Sequence, residues 1–207
     1  MPSGGHPIFA ALYDFFVEKI DRNGLARYRE KAAGGSTGRV IEIGAGTGRN
    51  FPFYRGIDRL TATEPDPYML RRAVRKTRGL PFPLLLLRDR AEALSAPDGS
   101  ADSVVATLVL CTVQDPPAAL RQIRRVLAPG GSFRFVEHVR AAGPRQAWLQ
   151  DLVTPIHKRI AAGCHPNRDT LGLIEREGFR LVQLERFHLG PPWVRPHLFG
   201  VAVPEAR

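Results

Sequence analysis

Residues 39–48 read Arg39-Val40-Ile41-Glu42-Ile43-Gly44-Ala45-Gly46-Thr47-Gly48. A short β-branched run that ends in glycines predicts a strand leaving a sheet through a tight turn. Glycine accepts positive φ and lets the backbone come close to a ligand. In an open parallel sheet, ligands sit beyond the carboxyl ends of the strands, which places this loop at a binding edge. Dinucleotide enzymes use Gly-x-Gly-x-x-Gly to seat a pyrophosphate on a helix N-terminus. Here the third glycine comes one residue early and Glu42 stands two before the first, so that fingerprint fits poorly. Sixteen residues past Gly48, at the end of a second predicted strand (60–63), stands Glu64. A carboxylate in that register can accept hydrogen bonds from both hydroxyls of a ribose.

Outward from the loop, strands alternate with helices. The pattern predicts a helix over 67–78, strands over 82–87 and 102–108, a helix over 118–127, and a strand over 132–137 after the break Pro129-Gly130-Gly131. A helix over 169–177 and strands over 180–186 and 197–203 complete the set, with Pro191 to Pro196 as a rigid loop between the last two. Strands separated by helices imply crossovers and a parallel sheet. Apolar runs such as Leu84-Leu85-Leu86-Leu87 suit a sheet covered on both faces. The expected fold is α/β: a Rossmann-like, doubly wound, mostly parallel seven-stranded sheet with helices on both faces. Residues 8–17 predict an amphipathic helix with Ile8, Phe9, Leu12, Phe15 and Phe16 on one side.

The 207 residues, 43% hydrophobic, suffice for one domain with a single core. The formal charge of +10 invites a nucleic-acid reading. The positive residues are spread along the chain, however, and the densest stretch, Arg71 to Arg78, reads as the solvated face of a helix. No Asn-Pro-Pro-Tyr-like motif follows the fourth strand, where the chain reads Leu108-Val109-Leu110-Cys111. Both observations argue against a nucleic-acid substrate. No apolar run is long enough to span a bilayer, and no signal peptide is evident. Two isolated cysteines, Cys111 and Cys164, make no disulfide framework and fit a reducing cytosol. Peripheral contact with a membrane remains open, and the oligomeric state is not legible.

Five segments then carry a resemblance. Val40 to Gly48 looks like motif I of the class I methyltransferases that use S-adenosylmethionine. Thr63-Glu64-Pro65-Asp66-Pro67-Tyr68-Met69-Leu70 resembles their second motif, and Asp89-Arg90-Ala91-Glu92-Ala93-Leu94 the segment flanking the adenine. Pro97 to Val105 and Arg124 to Gly131 match the approaches to strands four and five. The pieces stand in the family's order over 39–139. The resemblance implies S-adenosylmethionine as cofactor and S-adenosylhomocysteine as product. It implies that Glu42, Gly44, Ala45, Gly46 and Gly48 line the methionine and ribose. Glu64 would hold the ribose hydroxyls, with Pro65 and Met69 near ribose and adenine. Arg90 and Ala91 would border the adenine, and Leu108 would sit by the methionine end. Residues 39–207 would form the methyltransferase domain and 1–38 a helical segment serving as a candidate lid.

A narrower resemblance, to the small-molecule thiol S-methyltransferases of animal microsomes and their bacterial relatives, rests on several segments. They are Thr107 to Val113, Glu137-His138-Val139, Gly163-Cys164, Arg168-Asp169-Thr170 and Arg195 to Gly200. It implies a small-molecule acceptor, first a thiol, with N- or O-methylation of a metabolite or phospholipid head group as the alternative, and a nucleic-acid methyltransferase or a non-catalytic cofactor-binding protein less favoured. The animal enzymes begin with a hydrophobic anchor; none is evident here, and a cytoplasmic location is expected. Methyl transfer is an in-line displacement at the sulfonium methyl carbon that needs alignment and exclusion of water. A base near neutral pH would be a histidine. His138, after the fifth strand, is the first candidate. His157, in the segment that follows, is the second, with His165 beside it. His197 reads as structural and both cysteines as small apolar fillers. His157, Cys164 and His165 lack a clear fourth ligand, so no metal is expected. Trp148, Trp193, Phe9 and Tyr13 are candidates for the wall of an apolar acceptor pocket.

Overall fold

The computed structural model describes residues 7–205, with the backbone alone at 8–12 and 16. Helix α1 (Pro7–Ile20) passes through a wide turn at Asp21–Leu25 into α2 (Ala26–Ala33). Strand β1 (Gly38–Ile43) leads by the glycine loop to β2 (Ile57–Thr63), α3 (Pro67–Arg75) and β3 (Leu84–Leu87). Next come β4 (Ala101–Thr107), α4 (Pro116–Val126), β5 (Leu127–His138), α5 (Pro144–Ile160) and α6 (Thr170–Arg176). Strands β6 (Phe179–His188) and β7 (Pro196–Pro204) close the chain. The seven strands form one sheet in the order β3-β2-β1-β4-β5-β7-β6. Pairings from β3 to β5 are parallel, and β7 runs antiparallel to both β5 and β6. The expected Rossmann-like α/β fold is therefore present.

Local chemistry explains the helix starts. Asp66, Asp115 and Asp169 cap α3, α4 and α6 by accepting backbone N–H groups, and Pro67 and Pro116 follow two of them at the first helical position. Helix α4 buries Ala119, Leu120, Ile123 and Val126 at helical spacing against the sheet. Removing each of the larger ones from water contributes about 1.5–3 kcal/mol. One core cluster lies on this side, with Phe133, Phe135 and Ile174. A second lies on the other face and includes Leu25, Ala32 and Ala33 together with Val40, Leu60 and Val201. The end of α2 is also tied to the sheet, because Arg134 donates to the carbonyls of Lys31 and Ala32.

Three features differ from expectation. Strand β5 starts at Leu127, which pairs with Ala101 before a bulge carries the chain through Pro129-Gly130-Gly131 and pairing resumes at Ser132. Helix α5 falls in a segment for which no element was expected. Its Trp148, Leu152, Ile156 and Ile160 stand in the solvent while its buried face carries Ala147, Gln150 and Thr154. Helix α1 forms as expected, but Phe15 is 74% exposed rather than packed inward. The side chains of Ile8, Phe9, Leu12 and Phe16 lie outside the described residues.

Candidate functional site

The strand order reverses between β1 and β4, the switch point at which an open α/β sheet presents a crevice. The carboxyl ends facing that crevice carry, in spatial order, Ala91 after β3, Glu64 after β2, the glycine loop after β1, Leu108 after β4 and His138 at the end of β5. The loop needs its glycines. Gly44 has φ +64°, and a Cβ there would lie 2.6 Å from Val109 Cγ2. Gly46 has φ +58°, and a Cβ there would project into the space between Met69 and Tyr13, 3.8 and 3.9 Å away.

Glu64 joins the two halves of this cradle. Its Oε2 accepts from Gly46 N–H at 2.9 Å and its Oε1 from Asp66 N–H at 2.8 Å. Burial pushes its carboxyl above the usual range, against the pull of those two donors. Glu42 is buried among partners: Asn50 Nδ2 and Tyr54 O–H each donate to it at 3.0 Å. Burial raises this carboxyl to about 7. Asn50 also accepts from Arg29 Nη1 at 3.0 Å, and the buried Arg29 Nη2 has no hydrogen-bond partner among the described residues. Met69 and Ala91 are buried, whereas Pro65 and Arg90 are exposed. Arg90 reaches Gln114 at 3.1 Å and Glu92 at 3.4 Å, so its side chain turns outward.

Helix α1 lies across the glycine loop. Thr47 Oγ1 donates to Asp14 Oδ1 at 2.6 Å, and Lys76 Nζ reaches Asp14 at 3.3 Å and Thr47 at 3.2 Å. Arg72 adds an ion pair to Asp14 at 3.6 Å. Burial raises the Asp14 carboxyl, but Thr47 and Lys76 outweigh it and leave the group below its ordinary value. Part of the basic stretch on α3 thus faces a carboxylate rather than open solvent.

The loop after β4 is built by two residues for which no role was expected. Glu137 accepts from the N–H groups of Val109, Leu110 and Cys111 at 2.7, 2.8 and 3.2 Å. Arg168 donates to the carbonyls of Leu110 and Val113. Leu108, at the strand end, has φ +58°, a conformation that costs a non-glycine residue free energy and collects at functional sites. Beyond it, Cys111, His138 and Cys164 come together, with ligand atoms all within 4.8 Å of one another. His157, on the last turn of α5, stands beside Cys164 but outside this group, and so does His165. The cysteines are thus neighbours rather than separate fillers. Contact with Cys111, then with His157, pulls the Cys164 thiol below its ordinary value, while contact with Cys164, then burial, pushes Cys111 above. His138 Nδ1 lies 3.2 Å from the Val194 carbonyl, and its ring 4.3 Å from that of His197. Burial, then His197, lowers His138 to about 3.

Residues 41–135 match the family profile described as a methyltransferase domain. The chain is 38% identical over 210 residues to thiol S-methyltransferase TMT1B of Homo sapiens, covering 94% of this chain and 85% of that protein. The chain belongs to the class I S-adenosylmethionine-dependent methyltransferases. It is also 33% identical over 141 residues to phosphatidylethanolamine N-methyltransferase of Cereibacter sphaeroides, covering 66% of this chain and 68% of that one. Among solved structures, a Haloferax volcanii methyltransferase–activator complex has the same fold, with a TM-score of 0.71 at 16% identity over 98% of this chain and 100% of that one. The DhpI complex with S-adenosylhomocysteine follows at 0.65 and 22%, covering 97% and 94%.

The residues of this methyltransferase fit its cofactor. The Glu64 carboxylate stands beside Gly46 at the crevice, and Arg29, ion-paired through Nε with Asp21 at 2.8 Å, has its Nη2 without a hydrogen-bond partner among the described residues. Of the aromatic residues expected to wall the acceptor pocket, Trp148 is instead 65% exposed on the outer face of α5. Tyr13 is over the glycine loop, Trp193 is half-buried in the loop before β7, and Phe9 lies outside the described side chains.

Proposed function

We propose that this methyltransferase transfers the methyl group of S-adenosylmethionine directly to the sulfur of a small-molecule thiol. In this reading Glu42, Gly44, Ala45, Gly46 and Gly48 line the methionine and ribose, and Glu64 takes the ribose hydroxyls. Pro65, Met69, Arg90 and Ala91 border the adenine, Leu108 the methionine end, and Arg29 the methionine carboxylate. The chain 39–207 is the catalytic domain, and α1 within 1–38 acts as a lid latched by Asp14.

The observation that carries the acceptor is kinship with proteins named thiol S-methyltransferases, and the low basicity of His138 agrees with it. At about 3 His138 stays neutral and is a weak base, so it cannot efficiently take a proton from an alcohol or an ammonium. A thiol near 8.5 is already a few per cent thiolate at neutral pH and needs no dedicated base. His138 and His157 are therefore read as groups that orient the acceptor.

Among the described residues no helix is long and apolar enough to cross a membrane. The exposed stripe Trp148, Leu152, Ile156 and Ile160 on α5, flanked by exposed Arg145, Lys158 and Arg159, suits peripheral contact with an anionic lipid surface. A cytoplasmic location rests on the two free cysteines. The test is S-adenosylhomocysteine release with panels of alkyl thiols, amines and phenols. Turnover on thiols is the expected result. Turnover on amines alone would overturn the reading in favour of N-methylation, as in the bacterial relative's name.

A further inference from the structure

The group formed by Cys111, His138 and Cys164 is not used by cofactor binding. It draws on three separate segments, the loop after β4, the end of β5 and the turn after α5, and each is held in place. The Glu137 carboxylate and Arg168 fix the loop carrying Cys111. The turn carrying Cys164 docks on it, with His165 N–H donating to the Cys111 carbonyl at 2.8 Å. His138 is set by Val194: a carbonyl only accepts, so Nδ1 carries the proton and Nε2 keeps its lone pair. A hydrogen bond of this kind, from the ring nitrogen facing away from a metal, orients a histidine ligand. Both thiols are buried, at 1% and 6% exposure, while His138 keeps an edge open to solvent.

Two thiolates and one imidazole are the donor set of a zinc ion, and three protein ligands with one open position is the pattern of catalytic zinc. Zn–S and Zn–N bonds of about 2.3 and 2.0 Å put tetrahedral ligand atoms about 3.5–3.8 Å apart. The three ligand atoms already lie within 4.8 Å of one another, about 1 Å outside that spacing. The location suits the chemistry. Val109, two residues before Cys111, touches Gly44 of the cofactor loop.

We propose that Cys111, Cys164 and His138 bind one zinc ion whose fourth position is open to the methyl acceptor. Binding releases the two thiol protons to solvent, so the dication and two thiolates leave the buried site neutral. The use of the fourth position rests on the thiol reading above. The acceptor's sulfur would bind there, lose its proton to solvent and, as thiolate, form the new S–CH3 bond while the sulfonium S–CH3 bond breaks. The electron pair of that bond stays on S-adenosylhomocysteine.

The experiment uses the full chain and does not depend on turnover. After dialysis against zinc and then against metal-free buffer, elemental analysis should find one zinc per chain. Replacement by cobalt should give a thiolate-to-cobalt charge-transfer band. Cys111→Ser, Cys164→Ser and His138→Ala should each weaken metal binding at least tenfold, while His188→Ala should not. If a cysteine variant fails to fold, the wild-type cobalt spectrum and a zinc-induced rise in melting temperature still decide the matter. No stoichiometric metal, no charge-transfer band, or a Cys111–Cys164 disulfide in intact mass under zinc would overturn the site. A cobalt band shifted by an added alkyl thiol supports the open position, and an unshifted band overturns it. Zinc bound as described with no methylated thiol product would overturn the thiol reading and leave the metal site standing.

Discussion

Replacing Glu64 with alanine should weaken S-adenosylmethionine binding about a hundredfold. Each carboxylate oxygen accepts one backbone N–H, from Gly46 at 2.9 Å and from Asp66 at 2.8 Å, and keeps a second lone pair for a ribose hydroxyl. A hydrogen bond to a charged group contributes about 1.5–3 kcal/mol. Two such bonds at the low end are about 3 kcal/mol, and about 1.4 kcal/mol is a factor of ten. Glutamine is the more discriminating change. Its amide has one accepting oxygen, so either Gly46 or Asp66 N–H would face an NH2 group, and one ribose hydroxyl keeps an acceptor; about tenfold is expected. Calorimetric titration with S-adenosylmethionine and S-adenosylhomocysteine at neutral pH reads the affinity, and circular dichroism confirms the fold. Because burial holds this carboxyl above its ordinary value, affinity should begin to fall on acidification earlier than for an exposed glutamate. A folded Glu64→Ala protein with wild-type affinity would refute the ribose assignment.

Four further outcomes follow from the geometry. Gly44→Ala puts a Cβ at positive φ and 2.6 Å from Val109, so urea unfolding should show a loss of about 2 kcal/mol; an unchanged midpoint would mean the loop gives way freely. The folded chain binds a proton at Glu42 more tightly than the unfolded chain does. The stability it contributes is full below about 4.5 and is lost as pH rises through about 7, an effect of about 3 kcal/mol. Glu42→Gln should remove that share of the pH dependence and leave the share of Glu137, whose carboxyl burial also raises to about 7; a profile parallel to the wild type counts against it. Asp14→Asn removes the carboxylate joining Thr47, Lys76 and Arg72 and should speed S-adenosylhomocysteine release about fivefold in stopped flow, whereas an unchanged rate argues against α1 as a lid. Ile156→Asp should lower co-sedimentation with phosphatidylglycerol vesicles about tenfold without altering cofactor affinity; equal binding would remove α5 as the contact.

Local signals carried most of the fold. The glycine run after a β-branched strand, the acid at the end of the next strand, and aspartates before α3, α4 and α6 each act within a few residues. Their meaning survives without knowledge of the neighbours. Helix α5 was hard to read because Pro155 interrupts it and its inner face holds Gln150, which bonds Ala141, Val139 and Pro166 across the turn, although Trp148, Leu152, Ile156 and Ile160 stand at helical spacing. Strand β5 was placed too late because Leu127 belongs to it through pairing with Ala101, a contact that no local residue announces. The grouping of Cys111, His138 and Cys164 and the latch of Asp14 on Thr47 and Lys76 depend on which strand ends and helices become neighbours. The sequence alone determined the strand–helix alternation and the cofactor cradle, since both are written in contiguous motifs. Only the tertiary structure decided the cluster around His138, because it arises where the antiparallel β7, the end of β5 and the turn after α5 converge.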